Sequence, residues 1–151
     1  MCEMNTYQRK FSCALLSLFI SVASAHAGEL YGPYKADMIR VIDGDTVKLG
    51  IHIWPGLVQQ VNLRLVGVNS PESRGVPDCE KEAAKKASEF TRGFIGNSQM
   101  VTVSNVELGK YAGRALGRIE VEGKGDLGEA LIAVGHAHEY HGGHREAWCQ
   151  D

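Results

Sequence analysis

Within one short stretch, Arg64-Leu65-Val66-Gly67-Val68-Asn69-Ser70-Pro71-Glu72, the chain carries a guanidinium, an amide, a hydroxyl and a carboxylate. That set suits an anionic substrate with a proton to be removed beside it. A guanidinium forks onto a phosphate or carboxylate, and a carboxylate accepts a proton. Two further stretches offer compatible chemistry. Asp43-Gly44-Asp45-Thr46 places carboxylates at i and i+2. Asp45 opens the following strand and can face a hard cation, which takes carboxylate and carbonyl oxygens, whereas Asp43 reads as turn chemistry. Lys110-Tyr111-Ala112-Gly113-Arg114 supplies a second guanidinium. Taken singly, each stretch also fits a solvated surface, and Arg64 with Glu72 fits an ordinary ion pair at a strand end.

The elements that must hold these groups follow from periodicity. Val61, Leu63 and Leu65 alternate with Asn62, Arg64 and Val66, a strand with one face in a core and Arg64 on the other. Pro71 cannot extend a central strand, so Asn69, Ser70 and Glu72 are expected at its exit, within reach of Arg64. Strands are predicted over 38–42, 46–53, 59–68, 100–106 and 114–121. Asp43-Gly44 is a hairpin signal, because these residues accept the positive φ of a tight turn. A helix is predicted over 80–94, with Ala83, Ala84, Ala87, Phe90 and Phe94 on one face and Asp78 as N-cap. A second, short helix follows the capping box Asp126-Leu127-Gly128-Glu129 and stops at Gly135. Three strands, a helix, two strands and a helix give an α+β domain. Five short antiparallel strands most economically close into a small barrel of the OB-fold type, with two or three helices.

The 151 residues suffice for one domain with a core. Arg9 and Lys10, the apolar run 11–23 and Ala25-His26-Ala27 form a secretory signal peptide, residues 1–27. An uncleaved anchor is the alternative. The expected mature domain, 28–151, is secreted or periplasmic and has no membrane association. It loses Arg9, Lys10 and Glu3 and stays net acidic, so bulk positive charge does not coat a nucleic acid. Cys79 and Cys149 remain, and in an oxidising compartment they most simply form a disulfide; two free thiols are the other option.

In order, Val41-Ile42-Asp43-Gly44-Asp45-Thr46-Val47, the Arg64–Glu72 stretch, Tyr111-Ala112-Gly113-Arg114, and Gly128-Glu129-Ala130-Leu131-Ile132 with Gly135 resemble staphylococcal nuclease and its homologues, the thermonuclease family. The resemblance runs from about Ile39 to Tyr140. It implies an OB barrel with helices and a Ca²⁺-dependent nuclease, an endonuclease, that hydrolyses DNA and RNA. It also implies roles for single residues. Asp45, Asn69 and Ser70 match the metal positions, Arg64 and Arg114 the phosphate-binding arginines, and Glu72 the general base. Lys110, Tyr111 and Tyr140 are candidate substrate contacts, through a base or a phosphate, and the domain is expected to act as a monomer.

This sequence departs from the family at several points. Asn69 stands where the family usually has Asp, and Ser70 where it has Thr. Gly109 replaces a common acidic residue. Ala112 adds a residue before Gly113, and in the other register Arg118 takes the place of Arg114. The alternative function is an OB module, catalytically weakened, that binds single-stranded nucleic acid or a protein partner. A weaker third option is metal binding by His136, His138, His141 and His144.

Overall fold

A computed structural model describes residues 30–96, 100–109 and 114–149. The segment expected to be a signal peptide and the candidate contacts Lys110 and Tyr111 lie outside the described residues. Five long strands form the barrel: β1 (Tyr34–Asp43), β2 (Thr46–Trp54), β3 (Leu57–Leu65), β5 (Met100–Leu108) and β6 (Arg114–Val121). The short strands β4 (Val68–Asn69), β7 (Gly125–Asp126) and β8 (His138–Glu139) are additions that the sequence pattern did not announce. Helix α1 spans Asp78–Ile95 and α2 spans Leu127–Ala133.

The large sheet runs β3-β2-β1-β5-β6-β7, and a β3–β6 pairing closes it. That closure is parallel, with Leu63 opposite Ala115 and Arg64 opposite Leu116, while the other barrel pairings are antiparallel. The barrel is thus mixed, not wholly antiparallel as the strand pattern suggested. Closure leaves no edge between β3 and β6, which removes a liability of open sheets. Alternate residues fill the interior, among them Val47, Leu49, Leu63, Val103 and Ile119, with Leu127 and Leu131 of α2 added from one end. Each large aliphatic side chain so buried contributes roughly 1.5–3 kcal/mol.

The first hairpin forms for a different reason from the one its sequence suggested. Its loop is Gly44-Asp45, between paired Asp43 and Thr46. Gly44 is absent from the positive-φ residues. What the position requires is space: an added Cβ would lie 2.7 Å from the Ala87 Cβ and 2.9 Å from the Ser70 Cβ. Helix α1 approaches this closely because its inner face is small. Ala84, Ala87, Ser88, Thr91 and Ile95 are buried, and Thr91 donates to the Gly44 carbonyl at 2.7 Å. Phe90 and Phe94 stack on each other and pack, partly buried, against the core as expected, while Thr91 adds a buried polar pin that the apolar pattern did not show. Asp78 does not cap α1; it lies inside the first turn and pairs with Lys81 at 2.7 Å. Asp126 does cap α2, accepting from the Glu129 N–H at 2.8 Å.

Candidate active site

The third strand ends earlier than its apolar pattern implied. Gly67, at φ 79°, turns the chain after Leu65, and Asn69 sits on the separate short strand β4, opposite His138 of β8. The turn carries Asn69 and Ser70 inward, and both are buried. Thr46 and Arg64 are opposite each other across β2 and β3, so the hairpin loop and the Arg64 side chain meet on one side of the barrel.

Asp45 lies at the centre of that meeting, with 1% of its surface exposed. Its Oδ1 accepts from Arg64 Nη1 at 2.7 Å and from the Thr46 hydroxyl at 2.9 Å; its Oδ2 accepts from the Ser70 backbone N–H at 2.9 Å. A buried carboxylate needs such partners, because an uncompensated one is expensive. Arg64 also donates through Nη2 to Asn69 Oδ1 at 3.3 Å. Two of its five N–H groups are thereby used, and the guanidinium is held in a fixed plane with donors left over. Asp45, Arg64, Asn69 and Ser70 are therefore one hydrogen-bonded cluster.

Asp43, read from sequence as turn chemistry, belongs beside this cluster. Its Oδ1 is buried without a hydrogen-bond partner. Burial raises its pKa to about 6, and the negative charge of Asp45 adds to the effect, with a smaller push from Glu72. The i, i+2 spacing of Asp43 and Asp45 about a two-residue loop is the signal that could have found it. An orphaned carboxyl oxygen next to a second carboxylate, itself joined through Arg64 to the Asn69 amide oxygen, is a donor set of the kind a hard cation takes. Among the described residues, no group of three or more His, Cys, Asp and Glu is arranged to hold a metal ion. Any cation here must rely partly on neutral oxygens.

Glu72 does not pair with Arg64. Its backbone N–H donates to Glu80 Oε1 at 3.0 Å, and its Oε1 accepts from Arg145 Nη1 at 2.8 Å. Arg145 went unnoticed in the sequence because nothing local marks it. Arg114 opens β6 opposite Asn62, on the strand that pairs with β3. Arg118, the fallback, is engaged elsewhere: it donates to Asp126 at 3.2 Å and Glu129 at 2.5 Å, and Asp126 chiefly raises its pKa. Tyr140 donates its hydroxyl to the Gly143 carbonyl at 3.1 Å. The tail histidines diverge: His136 meets Phe90 edge-on and His138 stacks on Trp148, while His141 and His144 are exposed. Cys79 and Cys149 form a disulfide.

Residues 62–148 match the family described as "Staphylococcal nuclease homologue". The chain is also similar to the protein described as "Endonuclease YhcR" of Bacillus subtilis (strain 168). The two are 28% identical over 115 residues, which cover 72% of this chain and 9% of that protein. The chain thus spans less than a tenth of the length of this relative.

Proposed function

The chain belongs to the staphylococcal nuclease family, and from that premise we propose that it is a Ca²⁺-dependent nuclease that hydrolyses phosphodiester bonds of DNA and RNA. One observation carries the reading. Arg64 is held in place by Asp45 and Asn69, and Asp45 in turn neighbours Asp43, whose Oδ1 has no hydrogen-bond partner. A guanidinium fixed before substrate arrives needs no reorganisation as charge develops on the phosphoryl oxygens, which is where preorganised donors stabilise a transition state most. Arg64 presents its remaining N–H groups to the phosphate, and Arg114 adds a second fork. Glu72 takes the proton of the attacking water, with Oε1 committed to Arg145 and Oε2 available.

Asp45, Asn69 and Ser70, joined by Asp43, would hold the cation. A bound Ca²⁺ supplies positive charge to the phosphoryl oxygens as a Lewis acid. Asn69 removes one charge from the set, and affinity for Ca²⁺ falls with ligand charge. That substitution also favours the second reading, a domain that binds single-stranded nucleic acid without cutting it. Secretion or periplasmic residence is part of the proposal and is supported by the disulfide, which persists in oxidising compartments.

Glu72→Gln separates the readings. Loss of a positioned general base costs roughly 10²–10⁴ in rate. Cleavage of plasmid, single-stranded DNA and RNA should fall on that scale, with DNA binding retained. Cleavage at the wild-type rate by the folded variant refutes the role of Glu72.

A further inference from the structure

Glu72 follows Pro71 in a segment that belongs to no strand or helix. A carboxylate placed on irregular backbone needs outside support if it is to keep one aim. Two contacts provide it, and both trace to the first turn of α1. Glu80 accepts the Glu72 backbone N–H. The residue before it, Cys79, is bonded to Cys149, four positions beyond Arg145, whose guanidinium donates to Glu72 Oε1. Resting on the nuclease reading, we propose that Arg145 is a positioning residue for Glu72, delivered to it by the Cys79–Cys149 disulfide.

An arginine on a tail free at one end would spend little time on one carboxylate. This tail is held at both ends. On the N-terminal side β8 pairs with β4, and the Tyr140 N–H donates to the Gly67 carbonyl at 2.8 Å. On the C-terminal side the disulfide fixes Cys149 to α1. The segment also folds on itself: Trp148 stacks on His138 with ring centroids 4.0 Å apart, and the Arg145 guanidinium lies 5.9 Å from the centre of the Tyr140 ring. Closing both ends raises the effective concentration of Arg145 at Glu72. The contact takes Oε1 and leaves Oε2, which has no protein partner among the described residues, as the oxygen that meets water. The Arg145 pKa is raised, with the hydrogen bond to Glu72 as the largest cause.

The test compares the full disulfide-bonded protein with its Arg145→Ala and Arg145→Lys variants, with the double variant Cys79→Ser/Cys149→Ser that lacks the disulfide, and with the combination of Arg145→Ala and that double variant. Substrate is single-stranded DNA. Since half-exposed ion pairs are weak, the expected loss in kcat for Arg145→Ala is about fivefold, with KM unchanged. Arg145→Lys restores most of the loss. The cysteine variant loses a similar factor, and the combined variant loses no more than either, because both changes remove one contact. Unchanged kcat, a rise in KM alone (a phosphate ligand) or a rise in kcat (a mask) each overturns the proposal. In parallel, the Glu72 carboxyl carbon resonance is followed at fixed pH. It should shift in Arg145→Ala and in the cysteine variant. No shift in either overturns the contact whatever the activity. Shifts in the variants beside a wild-type protein that never cuts refute the nuclease reading, and the catalytic role of the contact with it.

Discussion

Replacing Asp43 with asparagine should make the protein more stable, by an amount that grows as pH rises from about 4 to about 6 and is constant above that. Asp43 has a buried oxygen without a partner, and its pKa stands at about 6 against an ordinary 3.8. The folded state therefore binds more protons than the unfolded state between those values. Stability from this group is fully present below about pH 4 and is lost as pH rises through about 6. At about 1.4 kcal/mol per pH unit the shift is equivalent to roughly 3 kcal/mol. The side chain is only partly buried, and solvent screening reduces this to about 1–2 kcal/mol. An asparagine side chain at this position would be uncharged at every pH and nearly the same shape. Urea unfolding in EDTA, followed by tryptophan fluorescence, should show Asp43→Asn ahead of wild type by about 1–2 kcal/mol at pH 7.5 and level with it near pH 4. Saturating Ca²⁺ should erase the advantage, since the cation supplies the positive charge that Asp43 lacks. An advantage that is absent at pH 7.5, or present equally at pH 4, refutes the account of Asp43.

Three further outcomes follow from the same geometry. Arg64→Ala strands the buried Asp45 carboxylate and should cost about 3–5 kcal/mol in denaturant unfolding, with Arg64→Lys clearly milder. Gly44→Ala forces a Cβ into Ala87 and Ser70 and should lower stability by about 1–3 kcal/mol, measured by thermal unfolding. Thr91→Val removes the donor to the buried Gly44 carbonyl; the same assay should read a loss of about 1–3 kcal/mol.

Much of this molecule was legible where the information is local. The alternation at Val61, Leu63 and Leu65 gives the strand and its buried face, and Asp126 gives the cap of α2. Contacts between distant segments were not legible. The parallel register of β3 on β6 depends on barrel closure, and no residue in either strand announces it. Gly44 was expected for its φ but is needed for the close approach of Ala87 on a helix distant in the chain. The inner face of α1 was read in part, but Thr91 was missed because it is polar, and only its partner explains its burial. At the site, Asp45, Arg64, Asn69 and Ser70 were legible from their motifs, and the structure brings them into one cluster. Arg145 was invisible: it reaches Glu72 across a chain separation of 73 residues, through a tail held by a disulfide.

Metal-dependent phosphodiester hydrolysis at the cluster around Arg64 is tested by titrating the disulfide-bonded protein with Ca²⁺, from EDTA upward, while following cleavage of single-stranded DNA. Cleavage should be absent in EDTA and rise to saturation with Ca²⁺, with Asn69→Asp moving the half-maximum to lower Ca²⁺. Folded protein that binds the DNA but cuts it at no Ca²⁺ concentration, with Asn69 or with the Asn69→Asp change, would contradict the claim and leave a binding domain.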